Sequence, residues 1–155
     1  MGILAVIRIR GEPDRNPDER KTLELLRLYK RFHLVLVPDT RPIRGMLKKV
    51  EYVVTYGEIN KDVLASLIER RGRLIGNKRV TREYLKKIGF NDYKELAKAI
   101  IEGKLTTDKL PDFKPVFRLS PPSKGFKGTV KKHFNEGGEL GYRGEAINEL
   151  IKRML

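Results

Sequence analysis

Within the first sixty residues the apolar period of this chain switches between two and 3.6, and that alternation constrains the fold more than any other feature. Residues 3–9, ILAVIRI, set Ile3, Ala5, Ile7 and Ile9 at every second position, opposite a set that includes Arg8. That is the pattern of a half-buried strand. The polar turn GEPDRNPDE follows, with Asn16 placed to cap a helix, Pro17 at its first position and Glu19 where a capping box requires it. The spacing carries this helix to about Lys30 and buries Leu23, Leu26 and Tyr29 on one side. LVLV at 34–37 reads as a short buried strand. Thr40 then caps a second helix in which Ile43, Met46, Leu47 and Val50 fall at i, i+3, i+4 and i+7. VEYVVTY, 50–56, completes the unit as a strand with Val50, Tyr52, Val54 and Tyr56 on one face. The order is β-α-β-α-β. Periodicity leaves the relative direction of the strands open.

Beyond Gly57 the texture changes to short helices. Asn60 caps one carrying Val63, Leu64, Leu67 and Ile68, which stops at Gly72. Thr81 opens another with Tyr84, Leu85 and Ile88, ended by Gly89. Asn91 caps a third with Tyr93, Leu96, Ala97, Ile100 and Ile101, ended by Gly103. A turn-rich stretch leads to a strand at 116–119, VFRL, then to a glycine- and lysine-rich segment, PPSKGFKGTVKKHFNEGG (121–138). A last helix holds Ala146, Ile147, Leu150, Ile151 and Met154 on one face. The division this suggests is a core at 1–58 and a mainly helical extension at 59–155 packed on it.

Charge narrows the function. The 155 residues hold 34 Lys and Arg against 20 Asp and Glu, a formal net charge of +14, which favours a polyanionic partner. Two windows lack acids entirely. Residues 70–82 contain Arg70, Arg71, Arg73, Lys78, Arg79 and Arg82; residues 113–135 contain Lys114, Arg118, Lys124, Lys127, Lys131 and Lys132. Glycines in both windows let backbone amides approach phosphate, and arginine grips phosphate at two points. RNA fits better than DNA, since no recognition helix-turn-helix stands out and no zinc finger can form. Phe126 and Phe134, interleaved with Lys127 and Lys132, either stack on bases or pack against the domain.

Other classes fall away. With no cysteine there is neither a disulfide nor thiol chemistry. His33 and His133 stand a hundred residues apart, which leaves no structural zinc site and no metal centre. No apolar run approaches the ~18 residues of a membrane span. The start, MGILAVIRIRGEP, reads as a strand rather than a leader, and Val6 occupies the position where a myristoylation signal needs Ser or Thr. The glycine-rich loop fails as a nucleotide cradle because Thr129, not Lys, follows Gly128. EGGELGYRG is not G-x-G-x-x-G, and Ser120 and Ser123 lack a nucleophile elbow. Glu136 and Glu139 are placed to share a site, but an E-x-x-E pair beside glycines more often marks a turn or helix start. His133, between lysines, suits phosphate contact better than general-base work, and His33 reads as structural. No catalytic residues, cofactor or small-molecule substrate are expected.

The residues also resemble a known family. RIRGEPDRNPDERKTLELLRLYKRFHLVLVPDTRPIRGMLKKVEYVVTYGEI (8–59) is similar to the core of large-subunit ribosomal protein number thirty. The most specific part is DTRPIRGMLKKV, with Asp39, Thr40, Pro42, Ile43, Arg44, Gly45 and Met46. FRLSPPSKGFKGTVKKHFNEGGELGYRGEAINELIKRM (117–154) is similar to the C-terminal part of the long archaeal and eukaryotic form. A further basic N-terminal extension of the eukaryotic members is missing, which points to the archaeal form. GYRGE at 141–145 departs from the tighter eukaryotic GNRE. The resemblance implies an α+β fold: a three-stranded antiparallel sheet with two helices on one face. It implies a cytoplasmic, non-catalytic constituent of the large ribosomal subunit that binds large-subunit rRNA close to 5S rRNA, beside other large-subunit proteins.

Carried onto this sequence, the motifs nominate Arg41 and Arg44 at the start of the second helix, where free N–H groups add to anion contact, with Lys48 and Lys49 further along. Arg20 and Lys21 on the first helix are weaker candidates. The extension contributes Arg70, Arg71, Arg73, Lys78 and Arg79 around LIGNK, and Arg118, Lys124, Lys127, Lys131, Lys132 and His133 around the glycine-rich segment. Each is alternatively a solvated base, and close helix–sheet packing alone would account for Gly45. The 113–135 window, with few apolar anchors and six like charges, is expected to be mobile without RNA.

Overall fold

The computed structural model describes residues 2–10 and 17–155, so the capping role read for Asn16 lies outside the described residues. Strand β1 (Ile3–Arg8) pairs antiparallel with both β2 (His33–Pro38) and β3 (Val54–Glu58), Ala5 lying opposite Leu36 on one side and Gly57 on the other. Helices α1 (Pro17–Leu25) and α2 (Arg41–Lys49) join these strands. The three-stranded antiparallel core with two helices is therefore present. The C-terminal half then widens the sheet to six strands rather than adding helices alone.

The extension supplies α3 (Lys61–Arg71), a hairpin of β4 (Arg73–Leu74) and β5 (Lys78–Arg79), α4 (Arg82–Lys87) and α5 (Tyr93–Ile101). It continues with β6 (Val116–Arg118), β7 (Thr129–His133), β8 (Gly138–Tyr142) and α6 (Ile147–Met154). The sheet order is β6-β2-β1-β3-β8-β7, with β6 antiparallel to β2 and β8 parallel to both β3 and β7.

Two apolar layers sandwich this sheet. Leu4 and Val6 pack with Leu23, Leu26, Leu28, Leu47 and Val50 on the α1–α2 side. Ile3, Ala5, Ile7 and Ile9 pack with Val63, Leu64, Leu67 and Ile68 of α3, Leu96 and Ile100 of α5, and Ile147, Leu150 and Ile151 of α6. Strand β1 is thus buried on both faces, not half-buried as its alternation suggested. Full burial of each Leu or Ile contributes about 1.5–3 kcal/mol. Arg8 follows its strand inside and donates from Nη1 to the Leu28 carbonyl at 2.8 Å.

Helix ends differ from expectation where the stop signal is not glycine. At the ends of α4 and α5, Gly89 (φ 93°) and Gly103 (φ 78°) take the left-handed position of Schellman closures, with Phe90 N–H on Leu85 O and Lys104 N–H on Ala99 O. Helix α1 closes the same way, Leu28 N–H on Leu23 O, but Arg27 (φ 63°) holds the left-handed position. The helix therefore ends at Leu25 instead of Lys30, and Tyr29 turns out to solvent instead of into the core. Likewise Val50 belongs to the C-cap of α2, and a turn through Val53 delays β3 until Val54. Thr40, Asn60 and Thr81 cap as expected. Asp92, not Asn91, caps α5: its carboxylate accepts from Glu95 N–H at 2.8 Å, while Asn91 N–H donates back to Glu95.

Candidate nucleic-acid interface

Helix α3 ends in Arg70 and Arg71 and passes through Gly72 into the β4–β5 hairpin. At its tip Gly76 (φ 85°) and Asn77 (φ 61°) adopt left-handed backbone, so LIGNK makes a tight three-residue turn. Ile75 N–H on Asp112 O and Lys114 N–H on Arg73 O clamp the hairpin against the strand leading to β6. Arg118 of β6 then reaches Asn77 Oδ1 at 2.9 Å. Arg71 donates to Arg118 O and Ser120 Oγ, and Arg73 donates to the carbonyls of Arg70 and Gly72. Among the described residues no carboxylate pairs with Arg70, Arg71, Arg73, Lys78, Arg79 or Arg118. Burial, then Arg79, Arg71 and Arg118, hold the Arg73 guanidinium below its usual range. This is a fixed, uncompensated cluster of positive charge.

The fold splits the second basic window. Arg118 joins the arginine cluster at the β6 edge, whereas Lys131, Lys132 and His133 lie on β7 at the opposite edge of the sheet. Lys124 is exposed in a left-handed turn (φ 65°). Lys127 Nζ pairs with Glu149 at 2.7 Å, and His133 Nε2 lies 3.6 Å from Glu51.

The glycines of this segment serve the protein itself. The N–H groups of Lys127 and Gly128 donate to Glu139 Oε1 at 3.1 and 3.3 Å, so they do not form an open phosphate cradle. A Cβ on Gly128 would lie 2.5 Å from Gly137 O, and one on Gly138 2.0 Å from Lys132 O. Nor do Glu136 and Glu139 share a site: Glu136 is exposed, while Glu139 is buried against Arg143. Arg143, which the sequence reading passed over, donates to Thr55 Oγ1, Glu139 O and Glu139 Oε2. Its one sequence signal was an arginine four residues after a glutamate inside a glycine-rich run. Desolvation holds its pKa below the usual range. Phe126 packs on Phe32 with ring centroids 6.3 Å apart, and Phe134 lies 4.7 Å beneath the Arg143 guanidinium.

Helix α2 carries the most specific motif. Thr40 Oγ1 accepts from Ile43 N–H, Pro42 sits in the first turn, and no acid occupies that turn. Arg44 grips Asp39 through Nε and Nη2 at 2.7 and 3.0 Å and lies 4.8 Å from the Tyr142 ring centroid. That grip pulls the Asp39 carboxyl below its usual pKa and raises the guanidinium. Most of Arg44's donors thus point into the protein. Lys49 pairs with Asp18 at 3.5 Å, while Arg41 and Lys48 are exposed without an ion pair among the described residues. Arg20 and Lys21 are exposed on α1. Gly45 is exposed, with nothing within 4 Å of where a Cβ would stand, so close helix–sheet packing does not account for it.

Residues 4–54 match the family described as ribosomal protein L30p/L7e. The large ribosomal subunit protein uL30 of Thermofilum pendens is 58% identical over 156 residues, covering 100% of both chains. The chain belongs to the ribosomal protein L30p/L7e family. The proteins of the same description from Nanoarchaeum equitans (50% identical, 100% of both chains) and Archaeoglobus fulgidus (50%, 98% of this chain and 99% of the relative) extend the similarity across the archaea. L30p/L7e proteins are structural ribosomal components, not enzymes. The family match spans β1 through α2, whereas the arginine hairpin and the β6–β8 segment lie in the part shared with the full-length relatives. No helix among the described residues is long and apolar enough to cross a membrane.

Proposed function

We propose that this L30p/L7e member is a structural constituent of the large ribosomal subunit, in the cytoplasm, that binds rRNA through its basic surfaces and stabilises the RNA fold. The observation that carries the reading is the arginine cluster around β4, β5 and β6, whose charges lack carboxylate partners among the described residues. Like charges held this close repel one another, and phosphates supply the compensation that the protein withholds. The exposed Arg41 and Lys48 of α2 and the lysines of β7 form further contact surfaces. Placement near 5S rRNA, beside other large-subunit proteins, rests on the long-form character of residues 117–154. The division into a 1–58 core and a 59–155 extension belongs to the same reading, whereas the mobility expected of 113–135 does not, because β6 pairs with β2, Phe117 is buried and the amides of Lys127 and Gly128 are held by Glu139.

The test is sedimentation. The protein should travel stoichiometrically with mature large subunits and be released at high salt. Neutralising about six to ten phosphates makes affinity fall ~10³–10⁵-fold between 50 and 200 mM salt. Recovery only in the soluble fraction, or only in subunit precursors, overturns the assignment.

A further inference from the structure

The turn between α1 and β2 presents Tyr29 to solvent, 56% exposed between the buried Leu28 and the half-buried Phe32 and His33. The turn is pinned from inside. Arg8 Nη1 holds Leu28 O at 2.8 Å, Phe32 N–H donates to Arg8 O at 2.6 Å, and Leu119 N–H donates to Phe32 O at 3.0 Å. Arg27 (φ 63°) and Phe32 (φ 66°) both take left-handed backbone that non-glycine residues rarely adopt, and such strain concentrates at functional turns. The Tyr29 ring is thus pre-positioned without burial.

Beside it His33 stands edge-on, ring centroids 6.5 Å apart at 85°. Across from the two rings run Lys114, Pro115, Val116 and Arg118, closing a cleft of about 420 Å³ whose lining contains no carboxylate. Burial first, then Arg118, Lys30 and Arg8, hold His33 below its usual 6.5, so the ring is a neutral wall among cations. Arg118 belongs both to this cleft and to the arginine cluster, which makes the two sites continuous.

An RNA nucleotide has what this cleft lacks: a flat π-face to cover the exposed ring and negative charge to meet the cations. An acidic protein segment would use the cations and leave the rings idle. Resting on the RNA-binding reading above, we propose that the cleft seats one unstacked RNA base on Tyr29, its flanking phosphates held by Arg27, Lys114 and Arg118.

The test takes the full chain, a single-stranded 4-thiouridine dodecamer and an abasic ribose–phosphate strand of equal length, with affinities measured between 50 and 200 mM salt. The dodecamer should bind about fivefold tighter or more than the abasic strand, and near-ultraviolet irradiation should link it to the peptide bearing Tyr29. Tyr29→Ala should weaken the dodecamer by about fivefold, leave the salt slope unchanged and abolish that crosslink, while Tyr29→Phe retains both. Arg118→Gln should lower the slope by about one. Equal binding of both strands, or crosslinks unaffected by Tyr29→Ala, overturns the base seat and leaves RNA binding standing. Displacement of the dodecamer by polyglutamate at the same affinity in wild type and Tyr29→Ala assigns the cleft to an acidic protein segment instead. Failure of the wild type to bind either strand overturns both readings.

Discussion

Arg143 Nη2 lies 2.7 Å from Glu139 Oε2, and each side chain is only 4% exposed. The pair joins three parts of the chain. Glu139 Oε1 accepts the amides of Lys127 and Gly128, while Arg143 Nε donates to Thr55 on β3, whose hydroxyl donates in turn to Gly141 O. A single buried charge pair therefore fastens the glycine- and lysine-rich segment to the antiparallel core.

Removing one partner leaves the other charge buried and unpaired, which costs about 3–5 kcal/mol. Arg143→Met should lose that much in urea unfolding, whereas Arg143→Met with Glu139→Gln should lose distinctly less. Hydrogen exchange should speed up at Lys127 and Gly128 in the single variant. A loss below about 1 kcal/mol would show that the pair is not the fastening.

The arginine cluster predicts opposite signs for binding and stability. Lys78→Gln with Arg79→Gln removes two exposed charges that make no ion pair among the described residues, and Arg79 is one of the groups that lower the Arg73 pKa. Binding to a large-subunit rRNA fragment should weaken, with the salt slope reduced by about two. The melting temperature without RNA should hold or rise as repulsion is relieved. An unchanged slope would take the hairpin off the RNA.

His33 makes stability depend on pH. Its folded pKa lies below the unfolded value near 6.5, so the unfolded chain binds more protons between the two values, and stability rises with pH there. The contribution is complete above 6.5 and is lost as pH falls towards the depressed value. Unfolding free energy should therefore drop from pH 7.5 to 5.5, and His33→Gln should flatten that part of the profile. An identical pH dependence in wild type and His33→Gln would remove His33 as its source.

The core was legible because its signals are local. The alternation of Ile3, Ala5 and Ile7, the Thr40, Asn60 and Thr81 caps and the glycine stops at 89 and 103 each act within a few residues. What stayed hidden depends on distant partners. The outward turn of Tyr29 requires Arg27 to replace glycine in a Schellman closure, and tertiary contacts through Arg8 and Leu119 hold it. Strands β7 and β8 pair parallel and irregularly, a pattern without a hairpin turn signal. For the site, the count of basic residues marked both windows. It could not tell Arg44, drawn into Asp39 and Tyr142, from Arg79, left exposed, because an aspartate five residues before an arginine does not by itself show that the two pair, and Tyr142 lies far along the chain.

Gly45 gives the sharpest test of α2 as an RNA-contacting surface. It stands four residues after Arg41 and three before Lys48, so the three share one exposed face. A glycine inside a helix costs about 0.5–1 kcal/mol relative to alanine, and here open space surrounds the missing Cβ. Gly45→Ala should accordingly raise the unfolding free energy by about that amount. If phosphate approaches the helix backbone between Arg41 and Lys48, the added methyl stands in its way. Affinity for the rRNA fragment should then fall by about fivefold, the equivalent of ~1 kcal/mol, although the protein is more stable. A variant that gains stability and binds as well as wild type would place this face of α2 away from the RNA. Gain in stability with loss of affinity separates the functional role of the glycine from a folding one, because no packing contact exists for the methyl to disturb.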